Sequence, residues 1–349
     1  MGPVSGEIEA KTMRPLRAAF VDAMKSWTTT LILIVITLAW PGCTREAPTV
    51  TKTSAKRPDL YIQVSALGNL EYFYDHKLGM KKAGELFGVQ TEYTGPSDLD
   101  MTAMVAALEL AIAKKPGGLV VVGFEDSLVP VVNKAVEAGI PVVTVDADLP
   151  RSKRVAFVGT GNFNAGYQGG LKLAELIGGK GKVALLTKTG QSNLEERIRG
   201  YKEALSKFPD ISIVQIANTE SDPAKATQVA ALLLQRHDDL AGLACVEAAG
   251  GAGAATAVKE AGRVGRVKIV AMDRDNSVLR SIEQDVIQAT VVQQTALMPI
   301  YAVSVLYQLN HADVPITSDN AAAKVSGAPN TIDTGVIIVD KGNCKFFVR

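Results

Sequence analysis

Apolar residues from Asp59 onward alternate between short β-branched runs and segments with helical spacing. Ten apolar runs predict strands, at 60–65, 118–123, 140–146, 154–159, 182–187, 211–217, 240–246, 267–272, 288–293 and 335–340. The segments between them carry apolar residues every three or four positions, which is typical of amphipathic helices. Continuous apolar strands separated by helices are typical of parallel sheets covered on both faces. The pattern therefore predicts a doubly wound α/β protein with more strands than one ordinary sheet holds.

Length and charge narrow this picture. The chain has 349 residues, and at roughly 100–200 residues per domain this length predicts two lobes. Its 47% hydrophobic and 21% charged residues are typical of a globular protein. The formal net charge of +1 argues against a nucleic-acid partner, because a phosphate-binding surface needs an excess of Lys and Arg. An uncharged ligand fits this composition better.

The N-terminus has the pattern of a targeting segment. An apolar stretch at 31–39 follows basic residues such as Arg17 and Lys25, and it is too short to span a bilayer, which needs about 20 residues. We therefore predict a secretory signal peptide over 1–43 and an exported protein in the periplasm or cell envelope. Met24 begins a complete signal of its own, so the sequence leaves open which methionine is the true start.

Cys43 lies where bacterial lipoprotein signals place a lipidated cysteine, directly after the small residue Gly42. Trp40 departs from the aliphatic residue usual three positions before that cysteine. We expect a lipid on Cys43 to anchor the protein to the membrane, with ordinary cleavage and a soluble product as the alternative. The stretch 44–58 is polar and rich in Thr and Pro, which is typical of a flexible tether.

No motif indicates an enzyme or a cofactor. Cys245 and Cys344 belong to no metal-binding pattern, and nothing in the sequence pairs them as a disulfide. The three histidines lack a Ser or Cys nucleophile in a suitable context. We therefore expect a protein that is not an enzyme and that holds neither a metal nor a cofactor.

Aromatic residues follow the first predicted strand in a chain with only 5% aromatics. Tyr72, Phe73 and Tyr74 are consecutive, and Asn69 precedes them. An aromatic face beside an amide is typical of sites that hold a sugar ring. The alternative is that these rings form the packing face of a helix, but consecutive helical positions diverge by about 100°, so all three cannot face inward.

Carboxylates follow strands in both halves of the chain: Asp146, Asp148, Glu247 and Asp273. Ligands of such sheets gather beyond the carboxyl ends of the strands, and carboxylates accept charge-assisted hydrogen bonds from hydroxyls. The alternatives are helix N-caps, which suit Asp275 and Asp148, and the acid–base pair of a glycosidase.

Two further polar residues are candidates for the same cleft. Arg197 lies near the start of a helix after the strand at 182–187, and Gln293 ends the strand at 288–293. The planar guanidinium could hold a sugar hydroxyl and a carboxylate together. A solvated arginine on a helix surface is the alternative.

With these residues placed, the chain from 59 to about 339 resembles the ribose-type periplasmic sugar-binding proteins of ABC importers. The resemblance rests on the Tyr72-Phe73 pair and on four runs, namely IPVVTVD ending in Asp146, ERIRGY at 196–201, VAMD ending in Asp273 and QATVVQ ending in Gln293. It implies that Tyr72 and Phe73 stack on the sugar ring. It also implies that the hydroxyls are bound by the following residues: Asp146, Arg197, Asp273 and Gln293.

Two departures from the ribose-binding pattern bear on the ligand. Ala147 stands where ribose binders have Arg, and Glu247 stands where they have Asn. Buried polar groups left unpaired cost about 1–3 kcal/mol each, so we expect a pentose, hexose or deoxyhexose other than ribose. The segments 146–148 and 93–96 look similar to relatives that bind rhamnose or the autoinducer-2 signal.

The resemblance implies two lobes of the periplasmic binding protein type I fold, joined by a three-segment hinge. We assign 59–160 plus 294–330 to the first lobe, 161–293 plus 331–340 to the second, and 341–349 to a tail. Closure on a monosaccharide would let a monomer deliver it to the membrane permease.

Three other functions share this fold or this ligand. A sensor or chemoreceptor could take the place of the permease. A LacI-type repressor needs a DNA-binding segment where the signal stands, and a sugar-processing enzyme needs a nucleophile and base that the sequence lacks.

Overall fold

The computed structural model describes residues 59–312 and 314–348. The predicted signal peptide over 1–43, its anchor residue Cys43 and the tether at 44–58 lie outside these residues. Within the described ranges, no helix is both long enough and apolar enough to cross a membrane.

Two six-stranded sheets organise the described chain. The first sheet is parallel throughout and has the order β11-β5-β4-β3-β1-β2. Its strands are β1 Leu60–Val64, β2 Gln90–Thr94, β3 Gly118–Val122, β4 Val142–Val145, β5 Ala156–Gly159 and β11 Thr331–Asp333. The second sheet has the order β12-β10-β9-β8-β6-β7, in which only β12 is antiparallel to its neighbour. Its strands are β6 Gly181–Thr187, β7 Ile211–Asn218, β8 Leu240–Cys245, β9 Lys268–Met272, β10 Ala289–Gln293 and β12 Val336–Asp340.

Helices cover both faces of each sheet, as the pattern predicted. The first lobe contains α1 Tyr74–Phe87, α2 Met101–Ala113, α3 Val129–Glu137 and α9 Leu297–His311. Its cores place α1 and α9 on one face and α2 and α3 on the other. The second lobe contains α4 Asn162–Leu176, α5 Ser192–Leu205, α6 Pro223–Arg236, α7 Ala248–Glu260 and α8 Asn276–Glu283. There α4 and α5 cover one face, and α6, α7 and α8 cover the other.

Local sequence accounts for several helix ends. Asp100 caps α2 by accepting a hydrogen bond from the Ala103 amide at 2.9 Å, and Asp222 caps α6 from the Lys225 amide at 2.7 Å. Each side chain satisfies an amide that the first turn leaves without a partner. Gly88 ends α1 with a φ of 66°, a conformation that glycine adopts without steric cost.

All ten predicted strands are confirmed, and the structure adds two that the pattern missed. The edge strand β2 reads QTEYT and is partly exposed along its length, so it lacks the apolar run that marks the buried strands. The other, β11, is only three residues long. Short or polar edge strands give little hydrophobic signal, because one side of them faces solvent.

The chain passes between the sheets three times, after β5, after β10 and after β11. The first two passages coincide with the lobe boundaries we placed at 160/161 and 293/294. The boundary at 330/331 is wrong, because Thr331–Asp333 pairs in parallel with β5 in the first sheet. The second lobe is therefore re-entered only after Asp333, where β12 begins to pair with β10.

A single carboxylate ties two of these passages together. Asp333 Oδ1 accepts hydrogen bonds from the Gly161 amide at 2.7 Å and from the Gly335 amide at 2.8 Å. The approach is so close that a Cβ on Gly161 would lie 2.2 Å from Asp333 Oδ2, so a side chain at this position would displace the Asp333 carboxylate from these hydrogen bonds. Gln294, in the remaining passage, donates its amide to the Thr334 carbonyl at 2.5 Å.

Candidate functional site

Asp146 and Asp273 occupy equivalent positions in the two sheets, directly after β4 and β9. Both have a φ of 65°, in the left-handed region that few residues other than glycine, Asn and Asp enter. The Asp146 amide donates to the Val158 carbonyl at 3.1 Å, and the Asp273 amide donates to the Val291 carbonyl at 2.8 Å. Each aspartate is thus fixed against the neighbouring strand at the edge where ligands of α/β sheets bind.

In the first lobe, the wall of the cleft is formed by Tyr72 and Asp146. The Tyr72 hydroxyl donates to Asp146 Oδ1 at 2.6 Å. Burial, and next the negative charge of Asp146, raise the pKa of Tyr72 well above its usual value. The phenol therefore keeps its proton and continues to orient the carboxylate at every physiological pH.

Phe73 has a different environment from the one we predicted. Its side chain is 2% exposed and belongs to the core of the first lobe, and its ring meets Tyr72 edge-on with 5.1 Å between centroids. The two residues lie in a short 3₁₀ helix, in which consecutive residues are about 120° apart, so one ring faces the cleft and the other faces the sheet. Our prediction that Phe73 stacks on a ligand differs from this buried position.

A buried polar pair that sequence reasoning missed lies behind Tyr72. Gln63 Nε2 is 2.8 Å from His76 Nδ1, and both side chains are fully buried. Burial lowers the pKa of His76, so the imidazole is neutral. Gln63 Oε1 and His76 Nε2 have no hydrogen-bond partner among the residues that the structure describes. The spacing of four between Tyr72 and His76, which places both on one helix face, was the available signal.

In the second lobe, the wall is a chain of three side chains that we predicted separately. Arg197 of α5 is 5% exposed, and its Nη2 donates to Gln293 Oε1 at 3.1 Å. Gln293, at the end of β10, donates its Nε2 to Asp273 Oδ1 at 3.0 Å. The other guanidinium nitrogens donate to the Val246 carbonyl at 2.9 Å and to Asn162 Oδ1 at 2.8 Å. The structure therefore brings Arg197, Gln293 and Asp273 together, and Asn162 is a partner that the sequence did not indicate.

Asp273 is the group at this wall whose protonation changes nearest to neutral pH. Burial raises its pKa to about 6, although the positive charge of Arg197 and the hydrogen bond from Gln293 act in the opposite direction. A carboxyl with this pKa is charged above pH 6 and accepts hydrogen bonds with both oxygens. Below pH 6 it gains a proton and loses part of that capacity.

The remaining predicted site residues have other surroundings. Asn69 is exposed in the turn that precedes α1. Glu247 caps α7, with Oε2 accepting from the Ala249 amide at 2.8 Å and Oε1 accepting from the Thr219 hydroxyl at 3.2 Å. Both oxygens of Glu247 are therefore bound within the second lobe, which differs from the ligand contact we predicted.

Asp148 forms an internal ion pair in place of the ligand contact or N-cap that we considered. Arg154 binds it in a bidentate manner, with Nε to Oδ1 at 2.5 Å and Nη2 to Oδ2 at 2.6 Å. The Thr144 hydroxyl and the Leu149 amide also donate to Oδ1, each at 2.7 Å. Four donors occupy this carboxylate, so its contribution is to the first lobe itself.

A small cavity borders Tyr72 of the first wall and Asp273 and Gln293 of the second, and contacts between the lobes close one of its sides. Neither Asp146 nor Arg197 lines it. Its empty volume, counted together with the solvent at its open side, is about 310 Å³. The lining residues come from both lobes: Glu71, Tyr72, Asp75, Asp273, Arg274, Asp275, Val292, Gln293 and Thr295. Arg274 of the second lobe forms an ion pair with Asp75 of the first. Asn276 Nδ2 donates to Glu71 Oε1 at 3.0 Å across the same junction.

These groups suit a compact, uncharged ligand rich in hydroxyls. Carboxylates and amides supply acceptors, the guanidinium and Gln293 supply donors, and Tyr72 supplies an aromatic ring. Within residues 59–312 and 314–348, no cluster of His, Cys, Asp and Glu side chains could hold a metal ion. Cys245 and Cys344 are both free, buried thiols.

Comparison with known proteins gives a consistent picture. The periplasmic binding protein domain family matches residues 62–312. The D-allose-binding periplasmic protein of Escherichia coli is 28% identical over 236 residues, covering 64% of this chain and 76% of its own. A sugar-binding protein of a sugar ABC transporter from Bacillus halodurans has a similar structure, with a TM-score of 0.79 and 32% identity over 83% of this chain and 100% of its own. An arabinose-binding protein from Geobacillus stearothermophilus has the same TM-score and identity over 84% of this chain and 100% of its own.

Proposed function

Because this chain belongs to the periplasmic binding protein domain family, we propose that it captures a monosaccharide between its lobes and delivers it to an ABC importer. The observation that carries the proposal is the pairing of two walls, Arg197–Gln293–Asp273 and Tyr72–Asp146. Relatives bound to or named for D-allose, arabinose and tagatose support a pentose or hexose ligand. The chain acts by binding and release, without chemical change to the sugar.

The proposal assigns a role to each residue that the structure brings to the cleft. Asp146 and Asp273 accept hydrogen bonds from sugar hydroxyls on opposite sides of the ring. Arg197 and Gln293 donate and accept on the side of the second lobe, and the Tyr72 ring covers an apolar face of the sugar. A ligand that contacts both lobes binds the closed form better than the open form, and this difference in affinity drives closure.

We also propose that the protein is exported by the segment 1–43, carries a lipid on Cys43 and works as a monomer at the outer face of the membrane. The signal-like pattern before Cys43 and the periplasmic location in the family's own description support export. Mass spectrometry of the mature N-terminus from a bacterial membrane fraction tests the anchor. A diacylated cysteine at position 43 is expected, and an unmodified N-terminus would contradict it.

A thermal-shift screen of pentoses, hexoses, deoxyhexoses and polyols tests the function. A ligand present at 100 times its dissociation constant should stabilise the fold by about 2.7 kcal/mol, which is readily measured. At least one sugar is expected to give such a shift and to be recovered chemically unchanged. If every sugar leaves the unfolding temperature unchanged, or if the sugar is converted to a product, the proposal is wrong.

The pKa of about 6 at Asp273 predicts that sugar affinity rises with pH. A sugar hydroxyl that donates to the Asp273 carboxylate favours the charged form of that group. A proton and the sugar therefore compete for the Asp273 carboxylate. About nine-tenths of this carboxyl is protonated one unit below its pKa. We therefore expect the dissociation constant at pH 5 to be several-fold higher than at pH 7.5, up to about tenfold.

The same carboxyl affects the ligand-free fold with the opposite sign. Its folded pKa lies above the unfolded value of about 3.9, so between these two values the folded state binds more protons and stability falls as pH rises.

The change in sugar affinity between pH 5 and pH 7.5 is measured by calorimetric titration, and Asp273→Asn should remove most of this change. An equal pH dependence in Asp273→Asn would show that another group is responsible.

A further inference from the structure

The start of α1 and the segment after β9 meet across the cleft through charged and polar side chains. Asp75, in the first turn of α1, forms the ion pair with Arg274 and also accepts a hydrogen bond from the Thr295 hydroxyl at 2.7 Å. One turn earlier, Glu71 accepts the hydrogen bond from Asn276. These contacts join the two lobes, since α1 lies on the first sheet and residues 274–276 follow a strand of the second.

The position of this junction couples it to the cleft. Tyr72 lies between Glu71 and Asp75 in sequence, and Asp273 directly precedes Arg274. Any movement that separates the lobes must therefore separate Asp75 from Arg274, because each is held on the same short segment as a residue of the cleft wall. The junction forms when the two walls are brought together.

Burial makes this contact depend strongly on both partners. The Asp75 side chain is 8% exposed and that of Arg274 is 26% exposed. A carboxylate this well buried needs donors to compensate for its lost hydration, and Arg274 and Thr295 supply them. In an open form, Asp75 would recover water and would not need Arg274. The pair therefore stabilises the closed form specifically.

We propose that Asp75 and Arg274 form a latch that sets the lifetime of the closed state through their contact with each other. The latch adds the same stabilisation to the closed form whichever sugar is bound, so it raises affinity and leaves selectivity unchanged. Sugar choice then depends on the cleft walls, and retention time depends on the latch. The ligand-binding part of this proposal rests on the proposed function, whereas the closure itself does not.

The test compares Asp75→Asn, Arg274→Gln and the double variant with the parent. Asparagine keeps the size of the aspartate side chain, glutamine is shorter than arginine but keeps a polar end, and both substitutions remove the charge. We expect each single variant to raise the dissociation constant of every bound sugar by about tenfold, mainly through faster release, because loss of a desolvated charge pair acts on the off-rate. The double variant should be no weaker than the weaker single variant.

Glu137→Gln provides the matched control. It removes the Lys153–Glu137 ion pair, which is exposed and lies within the first lobe, so release rates should match those of the parent. Stopped-flow release with two or three sugars measures the rates. Additive effects of the two single variants, or a different loss for each sugar, would identify Arg274 as a ligand contact and overturn the latch.

A second measurement needs no ligand. Small-angle scattering of the ligand-free protein reports the fraction of closed molecules, which should fall in Asp75→Asn relative to the parent and to Glu137→Gln. An unchanged closed fraction would overturn the latch. Failure of all sugars to bind, together with a closed fraction that depends on Asp75, would reject the proposed function and leave the latch standing.

Discussion

Replacing Arg197 with alanine is expected to weaken sugar binding by at least about 100-fold. The guanidinium donates to Gln293, to the Val246 carbonyl and to Asn162, so it holds one wall of the cleft in place. Hydrogen bonds to charged groups contribute about 1.5–3 kcal/mol each, and loss of about 2.7 kcal/mol corresponds to a factor of about 100. Alanine removes these bonds and also leaves Gln293 without its donor. Asp273 loses the positive charge that lowers its pKa.

Arg199→Ala is a control on the same helix. Arg199 forms an exposed ion pair with Glu196, and exposed pairs contribute about 0–1 kcal/mol, so sugar affinity should match that of the parent. Arg197→Lys should recover little affinity, because a single ammonium cannot reproduce the planar fork. Isothermal titration measures all three variants, and thermal unfolding verifies that each is folded. If Arg197→Ala binds sugar as tightly as Arg199→Ala, Arg197 has no place in the site.

The second large effect distinguishes Asp146 from Asp148, although they are only two residues apart. We expect substitution of Asp146 to reduce sugar affinity and substitution of Asp148 to reduce the stability of the fold. Asp146→Asn should raise the dissociation constant of the sugar by about tenfold or more, because charge-assisted hydrogen bonds are roughly twice as strong as neutral ones. Its stability should change little. Asparagine accepts the left-handed backbone at this position and can still accept the Tyr72 hydroxyl.

Asp148→Asn should have the opposite profile. It breaks a bidentate pair in which the Arg154 side chain is only 9% exposed, and breaking a buried pair costs about 3–5 kcal/mol. Because Asp148 retains 23% exposure, we expect a loss of about 2 kcal/mol in the free energy of unfolding, and little change in affinity at temperatures where the variant is folded. Denaturant unfolding and titration of the same preparations measure both quantities. If Asp148→Asn loses affinity while keeping its stability, the original prediction of a ligand contact holds.

The apolar pattern predicted the presence of strands better than it predicted which sheet each strand belongs to. Buried strands are easy to predict because both of their faces are covered and their sequences are continuously apolar. The edge strand β2 has a polar sequence, so the pattern missed it. The short strand Thr331–Asp333 could have joined either sheet, because nothing in three residues indicates the neighbouring strand. Its true partner, β5, lies far away in the sequence, since Asp333 pairs with Gly159.

The sequence predicted the positions of those site residues that directly follow or end a strand. Asp146, Asp273 and Gln293 follow strands that the pattern predicts, so their convergence at one edge of each sheet followed from topology. The sequence alone did not indicate that four donors surround Asp148 or that Glu247 caps a helix, because both roles depend on side-chain geometry. The burial of His76 against Gln63 was missed for the same reason.

Asp333 has a mechanical consequence for the motion of the lobes. Since one carboxylate oxygen accepts hydrogen bonds from the amides of Gly161 and Gly335, we expect these two passages to bend together. Gln294 links the remaining passage to the residue after Asp333. We therefore expect the three passages to bend together and to resist twisting of one lobe against the other. If the lobes close as proposed, the two cleft walls should return to the same alignment each time.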